Sequence, residues 1–218
     1  MRRPRHLVAV CIAIAAAVAA AAFALAMVSA TARSPSSAAR PTAPIVGDLM
    51  PAAYTTGYTW FDNTPPGSTV ISHPVLHSRA GGTGTYADPI TIAVGHSLEN
   101  GEDVLDYPAG TRFYLPHVRR YFIVEDTCGD GARPQDRGCH NLASAPAEAR
   151  TWVDLYVGGA AGDDEAAVKA CAGKVTDGDT ELHQMIKDPA STHPVVPGPL
   201  FQDGRCTALY PGSVARDG

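Results

Sequence analysis

Two carboxylates stand where apolar, β-branched runs would not be expected to carry them. Asp126 ends the run YFIVED, residues 121–126, and Asp154 lies inside TWVDLYV, residues 151–157. A carboxylate within a strand costs sheet propensity and, when buried, solvation. A side chain lining a groove accounts for both positions. So does an acid that accepts backbone N–H bonds at a turn, and the stretch Asp126-Thr127-Cys128-Gly129-Asp130 is turn-like. Two further acids extend the set. Asp62 alternates with Tyr58 and Trp60 along TTGYTWFD, which would put the three on one face of a strand. Asp88 precedes Pro89 and follows Tyr86 and the run AGGTGT, so it serves either a groove or a turn. His77 lies near that run and reads either as a satisfied surface histidine or as a donor to a carboxylate or a base.

Paired carboxylates have a defined use on polysaccharides. One must hold a proton for the glycosidic oxygen, and the other must stay charged to activate water or attack the sugar. Asp126, Asp62, Asp88 and Asp154 are the catalytic candidates, and Tyr58, Trp60, His77 and Tyr86 the substrate-binding candidates, the aromatic rings stacking on sugar faces. The AGGTGT run is not a phosphate loop, because no Lys-Ser/Thr pair follows it. No cysteine pair has the C-x-x-C spacing of a metal site, and no cofactor is expected.

The elements that must position these residues read as a small all-β domain. A basic start, MRRPRH, precedes an Ala-rich apolar run and the small residues Ala30-Thr31-Ala32, the pattern of a secretory signal peptide over residues 1–32. An uncleaved membrane anchor is the rival reading of that run. Residues 33–50 form a flexible leader and residues 51–218 the folded domain, with a C-terminal extension from about residue 160. TTGYTWF, STVISHPVL, DPITIAV, TRFYLP, YFIVED and TWVDLYV are the strand candidates, and their number suggests a closed barrel. Residues 163–171, DDEAAVKAC, read as a helix, residues 145–149 as a short turn, and the rest as a wrapping tail with one edge strand.

Four cysteines follow the signal: Cys128, Cys139, Cys171 and Cys206. An exported chain would join them as two disulfides, each contributing ~2–4 kcal/mol, with three pairings open. The signal takes three arginines with it, so the net charge of −5 becomes more acidic on cleavage. Such a chain has no general reason to bind nucleic acid or anionic membrane. The basic cluster His117-Val118-Arg119-Arg120 reads as a solvated turn between strands. A secreted, extracellular monomer without stable membrane association is expected.

Several motifs together resemble the secreted double-psi β-barrel proteins. They are TGYTWFDN, GGTGTYADPIT, YPAGTRFYLPHVRRYFIVEDTCGD and WVDLYVGG. That superfamily takes in the three-aspartate domain, rare lipoprotein A, membrane-bound lytic transglycosylase A, expansins, barwin and family-45 endoglucanases. The most specific part is a Gly-Thr-Arg-x-Tyr-x-Pro strand at Gly110–Pro116. An Asp-Thr-x-Gly turn at Asp126–Gly129 and a Val-Asp-Leu-Tyr strand at Val153–Tyr156 complete it. The resemblance implies a six-stranded double-psi β-barrel with short helices and a disulfide-tethered C-terminal tail. It also implies Asp126 as general acid and Asp154 as its groove partner, with Asp62 or Asp88 as base. The first aspartate of the three-aspartate pattern has no clean match, because Ile92-Ala93-Val94 occupies its place. The expansin His-Phe-Asp triplet is absent.

These residues and motifs are consistent with two functions. One is a polysaccharide- or peptidoglycan-active protein that cleaves or loosens glycans. The other is a non-catalytic secreted binder, such as a barwin-like module or an inhibitor of a secreted protease, acting through the polar loop between Cys128 and Cys139. An acidic groove with aromatic residues favours the first, and a groove filled by the tail favours the second.

Overall fold

A computed structural model describes residues 47–176 and 181–208. The expected signal peptide and most of the expected leader lie outside the described residues. The strands are β1 (Asp48–Thr59), β2 (Ile90–Val94), β3 (His96–Glu99), β4 (Glu102–Leu105), β5 (Arg112–Leu115), β6 (Arg120–Thr127), β7 (Thr151–Gly158), β8 (His183–Lys187), β9 (Phe201–Gln202) and β10 (Arg205–Cys206). One helix, α1 (Glu165–Ala172), follows β7.

Six strands close on themselves in the order β1-β8-β5-β6-β2-β7, with β7 returning to β1. Two pairs are parallel, β1 with β7 and β2 with β6, and the other four junctions are antiparallel. This closed, mixed six-stranded barrel is compatible with a double-psi barrel. Each parallel pair carries one register slip, at Tyr58/Thr59 in the first and at Ile92/Ala93 in the second. The core is built from fully buried aliphatic and aromatic side chains, among them Ile92, Phe113, Phe122, Val124, Leu155 and Met185. Closure leaves these six strands no free edge among themselves.

The expected strands recur with one exchange. STVISHPVL is not a strand but an irregular loop crossing β6. Pro74 withholds a backbone donor there, and the amides of the next three residues bond a side chain instead of a neighbouring strand. The sixth place is taken by β8, from the segment expected to be a tail with an edge strand. β8 is instead an interior member of the barrel, hydrogen-bonded to β1 and β5. Likewise β1 begins at Asp48, inside the expected leader, because Asp48–Met50 pairs with β8.

The β3–β4 hairpin turns at Asn100-Gly101, both with positive φ (55° and 86°), as a two-residue hairpin turn requires. The helix starts where the acidic run predicts. Asp164 caps it by accepting from the Ala166 amide at 2.9 Å, and Lys169 pairs with Glu165 one turn back. Residues 146–149 make the expected short turn, with the Ala149 amide bonded to the Pro146 carbonyl at 2.9 Å.

The basic cluster at residues 117–120 is not solvated. Arg120 is fully buried and donates to the carbonyls of Val118, Gly198 and Thr207, which fastens the C-terminal segment to β6. Burial lowers its pKa to about 10. His117 stacks on His183 of β8 at 3.8 Å, and burial, with His183 beside it, lowers its pKa to about 3.

The disulfides are Cys128–Cys139 and Cys171–Cys206. The second joins α1 to β10 across 35 residues, a span that includes β8. Replacing Cys171 and Cys206 together by alanine should lower the unfolding free energy in urea by about 3–4 kcal/mol. A loss below about 1 kcal/mol would show that β8 is held in the barrel without this tether.

Candidate functional site

The slip in the β2–β6 register builds the site. Ile92 faces Val124, but Ala93 faces Asp126, so Glu125 is an extra residue in β6. Such a bulge interrupts side-chain alternation and re-aims the next side chain along the strand. Both carboxylates accordingly reach the same loop. Glu125, fully buried, accepts at Oε1 from the backbone amides of Val75, Leu76 and His77, at 3.2, 2.6 and 2.8 Å. Asp126 accepts at Oδ1 from the Ser72 amide at 3.1 Å, the Ser72 hydroxyl at 3.0 Å and the Thr127 amide at 3.0 Å. At Oδ2 it accepts from the Tyr58 hydroxyl at 2.9 Å.

Ala93 is also the register partner of Asp154 on its other side. The two aspartates therefore flank one small residue of β2. Across the β1–β7 pair, Thr56 lies opposite Asp154 and donates its hydroxyl to Asp154 Oδ1 at 2.8 Å. The Trp152 indole N–H donates to the same Thr56 oxygen at 2.9 Å. Asp62 follows β1 in a turn, where its Oδ1 accepts from the amide and hydroxyl of Thr59 at 2.7 and 2.6 Å. Tyr58, Asp62, Ala93, Asp126, Asp130 and Asp154 all line one cleft of about 250 Å³. No lysine, arginine or histidine is among its lining residues.

Burial raises the Asp126 pKa, against the pull of four hydrogen bonds from Ser72, Tyr58 and Thr127. Asp154 has one such bond. Burial pushes its pKa up to about 7, with Asp62 and Asp126 adding repulsion and Thr56 opposing. Burial, with Asp126 beside it, holds the Tyr58 hydroxyl protonated far above the usual tyrosine range, so it remains a donor to Asp126.

The other sequence candidates sit elsewhere. His77 bridges Glu125 and Asp88, at 2.7 Å through Nδ1 and 2.9 Å through Nε2. Burial disfavours its charged form, but the bonds to Asp88 and Glu125 outweigh that and raise its pKa. Asp88 is not a cleft residue, which corrects its expected place as groove partner or base. It accepts from the Thr83 amide at 3.0 Å and orders the Gly/Thr run. Burial would raise its pKa, but the bonds from His77 and Thr83 lower it. Trp60 packs edge-on against Phe61, and Tyr86 edge-on against Tyr121 with the Arg112 guanidinium over its ring. Neither lines the cleft. Of the aromatic candidates only Tyr58 does, as a hydrogen-bond donor to Asp126.

Sequence reasoning passed over Thr56, Ser72, Glu125 and Trp152. The available signals were the doubled acid Glu125-Asp126 after four apolar residues, and the i, i+2 spacing of Trp152 and Asp154. The polar loop between Cys128 and Cys139 packs inward in part. Trp152 ring carbons lie 3.0–3.4 Å from where a Cβ on Gly138 would stand, so a larger residue there would press on the indole.

The DDB_G0273701 N-terminal domain family matches residues 50–207, from β1 through β10. The chain belongs to this family. The family unit thus takes in the whole barrel, β8 and both disulfides. A relative in Dictyostelium discoideum, an uncharacterized protein, is 44% identical over 73 residues, covering 34% of this chain and 28% of its own. The match therefore spans less than a third of that relative. No solved structure matches the chain.

Asp154 makes the fold sensitive to pH in a defined direction. Its folded pKa of about 7 lies above the ordinary 3.8, so between these values the folded state keeps a proton that the unfolded state releases. Stability falls across that window as pH rises, and the penalty is complete above it. Asp154→Asn should therefore melt higher than the native protein near pH 8, by on the order of 5 °C, and the difference should shrink toward pH 4. A difference that does not change with pH would remove the buried charge from the account.

Proposed function

We propose that the chain is a secreted, glycan-cleaving protein and that the cleft beside Ala93 is its active site. The observation that supports this most is the convergence of Asp62, Asp126 and Asp154 on one cleft, with unequal hydrogen bonding. Carboxylates whose environments push their proton affinities apart form an acid–base set. The closed barrel with its Asp126–Gly129 turn and Val153–Tyr156 strand agrees with the likeness to double-psi wall-active proteins. Two disulfides suit an oxidising compartment. Among the described residues no helix is long and apolar enough to cross a membrane.

The roles differ from those the motifs alone imply. Asp154 is the acid. It gives its proton to the glycosidic oxygen as the C–O bond breaks. Asp62, exposed at the cleft edge, takes a proton from the water or sugar hydroxyl whose oxygen attacks the anomeric carbon. Asp126, with both oxygens occupied, stays charged and stabilises the positive charge that develops on the sugar. Proton exchange with solvent resets Asp154 and Asp62. A cleft lined by carboxylates and no basic side chain favours neutral glycans over polyuronates.

The test is soluble-fragment and reducing-end release by the purified protein from cellulose, chitin, xylan, peptidoglycan and polygalacturonate. Release is expected from a neutral polymer, with a loss on the order of 10²-fold or more in Asp154→Asn. No release from any of these substrates by folded protein would overturn the cleavage reading and leave a binding module.

A further inference from the structure

Behind Asp154 lies a short chain of hydrogen bonds that the acid–base set does not explain. Trp152 Nε1 is 2.9 Å from Thr56 Oγ1, and Thr56 Oγ1 is 2.8 Å from Asp154 Oδ1. The direction of the first bond is dictated by chemistry. An indole N–H only donates, so the Thr56 oxygen accepts from Trp152. A hydroxyl has one proton, and here it points to Asp154. With Thr56 donating, Oδ1 is the accepting oxygen of Asp154. Among the described residues no protein hydrogen bond reaches Oδ2.

The relay is held from three sides. Thr56 and Asp154 are register partners in the β1–β7 pair, and Tyr54 and Trp152 are register partners one step back. Tyr54 meets the Trp152 ring edge-on at 5.0 Å. Gly138, in the loop closed by Cys128–Cys139, covers the far end of the indole. The indole N–H is thereby aimed at Thr56 by packing.

We propose that Trp152 and Thr56 are positioning residues that keep Oδ1 of Asp154 free of a proton, so that its acid proton sits on Oδ2, the oxygen left to the substrate. The inference rests on the glycan-cleaving reading for its purpose but not for its geometry. A carboxylic acid that exchanged its proton between two oxygens would present it to the substrate only part of the time. The relay removes that freedom before substrate arrives. The charged and titratable groups around Asp154 are Asp62 and Tyr58 from β1 and its turn, Asp126 from β6, Asp130 from the following turn, and Tyr156 from β7 itself. Lys169 of α1 acts on Asp62. None of these directs a hydrogen bond at Oδ1.

The experiment compares Thr56→Val, Thr56→Ser and Trp152→Phe with the native protein. The Asp154 carboxyl carbon is followed by NMR against pH in aspartate-labelled protein and assigned by its loss in Asp154→Asn. Thr56→Val removes a bond that favours the charged form, so the Asp154 midpoint should move up. Thr56→Ser should restore it. Where a glycan is cleaved, Thr56→Val and Trp152→Phe should lower kcat by about tenfold with KM little changed. The basic limb of the pH profile should track the NMR midpoint. An Asp154 titration unmoved by Thr56→Val, in a variant whose amide spectrum shows the native fold, would overturn the relay. A shifted titration in a protein that cleaves no glycan would uphold the relay and reject the catalytic reading, so the two fail separately.

Discussion

Repulsion among the carboxylates in one small cleft is the constraint from which the rest of the structure can be understood. Asp126 and Asp154 flank the same residue of β2, Asp62 faces them, and no basic side chain lines the space between. Like charges this close cannot all ionise cheaply in partly buried surroundings. The barrel resolves the conflict by giving them different partners. Burial raises the pKa of both, opposed at Asp126 by four hydrogen bonds and at Asp154 by one, and Asp154 reaches about 7.

That division depends on a single extra residue. Without the bulge at Glu125, strand alternation would set Glu125 and Asp126 on opposite faces of β6. With it, both reach the loop that leads from β1 toward β2. Glu125 gathers three successive amides and His77, and Asp126 takes the amide and hydroxyl of Ser72. The loop in turn supplies Val70 and Ser72 to the cleft. A segment that looks irregular is thus fixed by two side chains of the strand it crosses. The fully buried Glu125 is satisfied by donors, as a buried polar group must be.

Much of this was legible in the sequence. Alternating and β-branched runs located five of the six barrel strands, and Asp126 and Asp154 stood out because acids are rare in such runs. The sixth strand was misplaced because STVISHPVL has strand-like residues on both sides of Pro74. HQMIK, residues 183–187, is short and carries polar residues, and its burial depends on partners far away in sequence. Asp88 and His77 were read as separate groove candidates but bond to each other outside the cleft, since nothing in local spacing reports which side of a barrel a loop covers. The relay through Thr56 required the register of two strands separated by more than ninety residues, and a threonine within a strand is otherwise ordinary.

The central claim is that one proton is held at Asp154 while Asp126 stays charged. Neutron diffraction from crystals of the deuterium-exchanged protein near pH 6 would locate it directly. The account predicts deuterium on Asp154 Oδ2, none on Asp126, and the Thr56 hydroxyl deuterium directed at Asp154 Oδ1. Deuterium on Asp126 with Asp154 bare, or a Thr56 hydroxyl turned away from Asp154, would contradict it.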